Sequence, residues 1–127
     1  MSTRANVVIK DEYGELWFYR HSDGYPEGTM PTLNKFLDWV KEGKIRDNVE
    51  QSAGWLVLIG ASEYDKMLDP TKHFEYMKKP TVLEPIESKA GMGWKCGAYE
   101  PCQCQHGDIE YLYTIDLDKK EITYKHI

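Results

Sequence analysis

Residues 6–21 of the chain read NVVIKDEYGELWFYRH, and this stretch decides the fold. β-Branched and aromatic side chains are frequent at residues 6–10 and 15–21, and the turn Asp11-Glu12-Tyr13-Gly14 separates the two runs. Runs of this kind favour extended backbone, and a short polar turn that contains glycine joins antiparallel strands. The stretch therefore predicts a β-hairpin over residues 6–21.

A second hairpin is predicted at the other end of the chain. Apolar and polar side chains alternate over residues 109–117, and the alternation resumes over residues 122–126 after the turn Asp118-Lys119-Lys120. A period of two is typical of strands that bury one face.

Helical spacing fills the region between the hairpins. Apolar side chains recur at i, i+3, i+4 and i+7 over residues 31–42, at positions Leu33, Phe36, Leu37 and Val40. With Thr29 as a candidate cap, Pro31 at the start and Gly43 after the end, this spacing predicts an amphipathic helix. Residues 48–66 predict a second helix capped by Asp47 or Asn48, although residues 55–59, WLVLI, would also suit a buried strand.

Residues 68–93 contain three prolines and two late glycines without a sustained period. They predict a long irregular connection, with a short helical turn at residues 73–77. Connections of this length in a compact domain are usually functional, which makes this one a candidate lid.

The order β-β-α-α-loop-β-β predicts the α+β class. We expect one domain over residues 1–127, with an antiparallel sheet of two hairpins and two helices packed on one face.

Composition narrows the classes of partner. Sixteen basic and twenty-one acidic residues give a net charge of −5, which predicts no nucleic-acid partner. No apolar run is long enough for a membrane span and the N-terminus lacks a signal-peptide core, so we expect a cytoplasmic protein without a membrane partner. Nine tyrosines and four tryptophans suit either a partly hydrated core or a recognition surface.

The first candidate site is the loop at residues 19–28, YRHSDGYPEG. His21 and Asp23 lie two residues apart beyond a strand end, where an imidazole and a carboxylate can act as a general base, a pH-sensitive contact or a metal-binding pair. The alternative is structural: Asp23 closes a turn onto the backbone, and His21 packs at the strand end.

His106-Gly107-Asp108 repeats this pattern before the C-terminal hairpin. If both strand ends lie at the same edge of the sheet, the two His/Asp pairs form one polar cluster that binds a ligand or partner. The candidate binding residues are Arg20, His21, Asp23, Tyr25, His106, Asp108 and Tyr111. Two unrelated turn signals would explain the same residues, and no catalytic residue or cofactor is predicted.

Cys96, Cys102, Cys104 and His106 match the chemistry of zinc ligands, but their spacing does not. Residues at period two along an extended strand are about 7 Å apart, too far for one tetrahedral ion unless the chain bends. Free thiols are therefore favoured over a metal site.

Two motifs resemble segments of small phage, prophage and bacterial proteins of unassigned function. They are the loop HxDGYPxG at residues 21–28 and the strand HGDIEYxY at residues 106–113. The resemblance implies a setting in mobile genetic elements, where small proteins modulate or evade host systems. It implies no catalytic residue.

Three functions follow, in order of preference. The first is an accessory protein of phage or prophage type that binds a host protein, for example as an inhibitor of host defence. The second is a small enzyme or small-ligand-binding protein that uses the His/Asp cluster, and the third is a structural zinc protein.

Overall fold

The computed structural model describes residues 3–68 and 98–127, and it contains a five-stranded sheet and two helices. In chain order the elements are β1 (Ala5–Asp11), β2 (Gly14–Arg20), α1 (Pro26–Lys41), α2 (Val49–Leu68), β3 (Glu100–Cys102), β4 (Tyr111–Asp116) and β5 (Glu121–His126). The strands are ordered β3-β2-β1-β4-β5 across the sheet.

Both predicted hairpins are present, but the sheet is mixed rather than antiparallel. β1 pairs with β2 and β4 pairs with β5 in antiparallel fashion, whereas β1 and β4 are parallel, with Val7 beside Tyr113. Parallel neighbours need a long crossover connection, and the chain between β2 and β4 supplies it. The expectation of an antiparallel sheet was wrong because hairpin signals are local and do not specify which strands join two hairpins.

β3 is a strand that the sequence analysis did not predict. It has three residues, includes Pro101, and pairs with β2 at the edge of the sheet. Proline removes a backbone donor and is tolerated at edges, so a short strand of this composition carries little sequence signal.

Helix α1 begins five residues earlier than predicted. Tyr25 is its N-cap, and the Tyr25 carbonyl accepts hydrogen bonds of 3.0 Å from the amides of Gly28 and Thr29. Pro26 occupies the first turn, where a missing N–H costs little, while Pro31 lies inside the helix. The second proline was therefore mistaken for the helix start.

Helix α2 is confirmed, and residues 55–59 belong to it. Asn48 caps it, since its Oδ1 accepts a hydrogen bond of 3.1 Å from the Gln51 amide. Of the predicted irregular segment at 68–93, Leu68 ends α2 and the remainder lies outside the described residues, as does Cys96.

The alternation of side chains along the strands separates two faces of the sheet. Val7 and Phe18 are among the strand residues that pack against both helices in the core. Asn6 and Tyr19, which are paired in register, belong to the opposite face. Both are buried, Asn6 completely, so this second face is covered where these two residues lie.

Candidate functional site

Two loops meet at one end of the sheet. Ala5 at the start of β1 pairs with Arg20 at the end of β2 and with Tyr111 at the start of β4. The loop that follows β2 and the loop that precedes β4 therefore leave the sheet at the same end. This end carries both predicted His/Asp motifs.

Tyr19 connects these two loops. Its ring stacks on His106, with 4.1 Å between centroids and an interplanar angle of 20°, and it meets the edge of the His21 ring at 5.1 Å. Its hydroxyl donates a hydrogen bond of 2.9 Å to Oδ2 of Asp108. We call Tyr19, His21, His106 and Asp108 the Tyr19 cluster. The structure thus brings together three of the four predicted His and Asp residues.

The phenol at the centre of the Tyr19 cluster is buried, and the imidazoles around it are exposed. Burial, reinforced by the hydrogen bond to Asp108, raises the pKa of Tyr19 to about 12. The hydroxyl therefore keeps its proton at neutral pH and acts as a donor. Nε of Arg4 lies 3.5 Å from the same Asp108 oxygen, so two groups hold this carboxylate.

Asn6 fixes the loop that carries His106. Its Nδ2 donates to the Phe18 carbonyl at 2.9 Å and lies 3.5 Å from Sγ of Cys102, while its Oδ1 accepts from the His106 amide at 2.7 Å. Because Asn6 is fully buried, losing these bonds would leave polar atoms unpaired. Asn6 therefore ties together β2, β3 and the loop before β4.

Arg4 and Asn6 were not predicted for this site, and Tyr19 was included only as the first residue of the loop at residues 19–28, without a binding role. A signal existed for Tyr19, because it lies two residues before His21 and shares its face of the strand. A weaker signal existed for Asn6, which is a polar residue directly before the β-branched run Val7-Val8-Ile9. Their contacts across the sheet depend on the pairing of β1, β2 and the later loop, which one sequence does not reveal.

Arg20 supports the other loop from the helix side of the sheet. It is 1% exposed, and its guanidinium lies 5.0 Å from the centre of the Tyr99 ring. It donates hydrogen bonds of 3.3 Å to the carbonyls of Asp23 and Gly28. Thr29 adds a third bond, of 2.9 Å, to the Asp23 carbonyl. Arg20, a predicted binding residue, is thus an internal support for the loop.

Gly24 is enclosed by backbone and by a tyrosine from β4. Its amide donates to the Thr3 carbonyl at 2.9 Å, and its carbonyl accepts a hydrogen bond of 2.6 Å from the Tyr113 hydroxyl. Burial raises the pKa of Tyr113 to about 12, so this hydroxyl also remains a donor. The tip of the loop is therefore held from two sides.

The structure places Asp23 outside the Tyr19 cluster. Its Oδ1 accepts a hydrogen bond of 3.3 Å from the Tyr25 hydroxyl. The charge of Asp23, followed by this hydrogen bond, raises the pKa of Tyr25. Tyr25 is 39% exposed, whereas Tyr19 at the start of the same loop is 6% exposed.

We expect Asp23→Ala to lower the free energy of unfolding by about 1 kcal/mol, and Asp23→Gly to leave it unchanged or raise it slightly. Asp23 has a φ of +56°, a conformation that glycine adopts without strain and alanine does not. The structural bonds of this residue come from its carbonyl, which both variants retain. Urea denaturation of the two variants checks this, and equal destabilisation by both would assign the effect to the carboxylate instead.

Tyr111 belongs to a separate aromatic group. Its ring contacts His126 at 4.8 Å and Tyr113 at 6.3 Å, both on the helix-facing side of the sheet. Because Tyr19 projects from the opposite face, Tyr111 shares the end of the sheet with the Tyr19 cluster without joining it.

The cysteines at residues 102 and 104 are free thiols. Sγ of Cys102 lies 3.5 Å from the Cys104 carbonyl, and burial raises the pKa of the Cys102 thiol, which disfavours the thiolate that binds metal. Within residues 3–68 and 98–127, no three His, Cys, Asp or Glu side chains are placed to hold a metal ion. Since Cys96 lies outside those residues, the preference for free thiols over zinc stays a prediction.

A small concavity of about 150 Å³ lies at the opposite end of the sheet, against the β1–β2 turn and the start of α2. Its lining includes Tyr13, Leu16 and Asn48. It is therefore separate from both loops of the predicted site.

Neither helix, over the part of the chain that the structure describes, is long and apolar enough to cross a membrane. Comparisons with protein-family models, with curated proteins and with solved structures found no match for this chain. Functional inference therefore starts from the geometry of the two loops.

Proposed function

We propose that this protein acts by binding another protein through the loops at one end of its sheet. The binding surface consists of the exposed side chains of His21, Tyr25 and His106, which we call the loop surface. One observation carries the proposal: the backbone at residues 23–28 and at His106 is fixed by hydrogen bonds from side chains of the neighbouring strands and of α1, while the three rings are exposed to solvent.

This arrangement lowers the entropic cost of association. Arg20, Thr29 and Tyr113 hold the loop at residues 23–28, and Asn6 holds the amide of His106. Groups that are ordered before binding lose less conformational freedom when a partner arrives. Tyrosine is also enriched among the residues that dominate protein interfaces.

The outer side of α1 offers a weaker surface. Its apolar stripe, including Leu33 and Phe36, is buried in the core. Its exposed positions include Lys35, Asp38 and Lys41, and isolated charges on a solvated helix contribute little to binding.

The class of partner comes from the resemblance of residues 21–28 and 106–113 to small phage and prophage proteins. A host protein fits that setting, and inhibition of a host defence system is the activity we propose for the complex. This step rests on the resemblance alone.

A small-ligand-binding protein or enzyme is the second candidate, favoured by the two exposed imidazoles that flank Tyr19. The carboxylates of the site have other partners, however. Asp108 contacts Tyr19 and Arg4, and Asp23 contacts Tyr25. A general base needs an imidazole oriented towards its substrate proton, commonly by a carboxylate, so this geometry supports the binding function better.

The test is site-specific photo-crosslinking in a bacterial host. A photoreactive phenylalanine analogue at position 25 is expected to capture a discrete host protein, whereas the same analogue at position 41 is not. With the captured protein purified, Tyr25→Ala is expected to weaken binding roughly tenfold or more, since a central aromatic contributes at least 1–2 kcal/mol.

Lys35→Ala and Lys41→Ala serve as matched controls and should leave the affinity unchanged, while His21→Ala should weaken it. Circular dichroism spectra and melting temperatures confirm that each variant is folded. Two results would contradict the proposal by placing the interface on α1. One is capture of a host protein from position 41 alone, and the other is loss of binding in the lysine variants while the Tyr25→Ala variant still binds. Failure to capture any protein from position 25 would also count against the proposal.

A further inference from the structure

Strand β5 forms one edge of the sheet. Among the described residues only β4 pairs with it, and every residue of β5 except Ile122 is exposed. Tyr124 leaves half of its surface in contact with solvent. An exposed edge strand with apolar side chains is a template for a further strand.

The backbone groups that this edge offers follow from one hydrogen bond. The Ile127 amide donates to the Glu110 carbonyl at 2.8 Å, so the backbone of Ile127 faces β4. In an antiparallel pair this direction alternates with each residue, so the N–H and C=O groups of Ile122, Tyr124 and His126 face outward. These are the groups that an added strand would bond.

The residues of β5 are self-complementary in one antiparallel register. If Thr123 lies opposite Thr123 of a second copy, Glu121 of each chain faces Lys125 of the other, and Ile122 faces Tyr124. Opposite charges, paired threonines and an aromatic beside a β-branched residue are all favourable cross-strand pairs. Within its own chain Glu121 lies opposite Asp116, which has the same charge. Lys125 of a second copy would offset this repulsion.

The neighbouring registers lack this complementarity. A slip of one residue would place the helix-facing side chains of one copy on the other face. Slips of two residues keep the faces but place Glu121 opposite Thr123 or Ile127, and in one of them Lys125 opposes Lys119. The register centred on Thr123 also makes Glu121 and Lys125 a pair without mutual backbone bonds, the arrangement in which side chains are closest.

We infer that two copies of this chain associate through β5, antiparallel about a two-fold axis at Thr123. The product is a continuous sheet of ten strands, five from each copy. Such an interface is isologous, since the same residues serve both copies. It goes beyond the proposed function, because β5 shares no residue with the loop surface.

Sedimentation equilibrium of the full chain over a concentration series tests this inference. We expect a dimer of twice the 14.8 kDa chain mass. Glu121→Lys and Lys125→Glu should each weaken the dimer roughly tenfold or more, because each creates two like-charge contacts across the axis.

Charge exchange makes the register falsifiable. The double variant Glu121→Lys with Lys125→Glu restores both pairs and should dimerise like wild type, and an equimolar mixture of the two single variants should form a heterodimer. Lys41→Glu, the same charge change on α1, should have no effect. A wild-type chain that stays monomeric up to about 100 μM would overturn the inference. Single variants that dimerise like wild type, or combinations that fail to restore the dimer, would overturn it equally.

Discussion

Replacing Arg20 with alanine is expected to lower the free energy of unfolding by about 3–5 kcal/mol. The side chain is 1% exposed, so its removal leaves a cavity beside Tyr99 in the core. It also takes one donor each from the carbonyls of Asp23 and Gly28, which are partly buried. Loss of packing and loss of hydrogen bonds act in the same direction.

Arg20→Met separates these two contributions. Methionine retains much of the buried volume but donates no hydrogen bond, so we expect it to cost about 1–3 kcal/mol. Arg46→Ala, at an exposed position in the connection between the helices, should change stability by less than about 0.5 kcal/mol. The measurement is urea denaturation followed by circular dichroism. An Arg20→Ala protein as stable as Arg46→Ala would show that the loop does not depend on the guanidinium.

Replacing Gly24 with alanine is expected to cost about 2–3 kcal/mol, at the upper end of the range for overpacking. A Cβ atom at this position would lie 2.8 Å from the Thr3 carbonyl oxygen and 2.9 Å from Cβ of Ala5. Both atoms belong to the chain at the start of β1 and cannot swing aside. The new methyl group must therefore displace the loop, including the Gly24 carbonyl that Tyr113 bonds.

Gly107→Ala provides the matched control, because a Cβ atom there would meet no atom within 4 Å. It is the same substitution in the other loop of the candidate site, and we expect its melting temperature to equal that of wild type. The measurement is thermal unfolding of both variants, and the melting temperature of Gly24→Ala should be clearly lower than that of Gly107→Ala. Equal melting temperatures for the two would mean that the loop at Gly24 yields readily, which would weaken the case for a preordered binding surface.

The parts of the fold that depend on neighbours in sequence could be predicted. Both hairpins and both helices follow from alternation, helical spacing and capping residues such as Asn48. The parallel pairing of β1 with β4 could not be predicted, because it joins segments about a hundred residues apart without a local signal. The start of α1 was misplaced because Pro26 and Pro31 are both acceptable near a helix N-terminus and only packing chooses between them.

In the candidate site, too, the residue types could be predicted from the sequence, whereas their contacts across the sheet could not. His21, His106 and Asp108 were chosen from the sequence as chemistry-bearing residues in turns, and the strand pairing brings them to Tyr19. Asp23 was chosen for its side chain, yet its backbone carbonyl accepts the hydrogen bonds from Arg20 and Thr29 that hold the loop. That distinction depends on the positive φ of Asp23, which the sequence suggests only through the following glycine.

The parallel register of β1 and β4 also has a kinetic consequence. Ala5 pairs with Tyr111, so the central strand of the sheet cannot acquire its second neighbour until the ribosome has released a segment more than a hundred residues later. Long loop closure of this kind slows folding, and during synthesis the free side of β1 stays exposed to other chains. The pairing of β1 with β4 therefore comes late in synthesis, and until then the unpaired side of β1 can pair with other nascent chains.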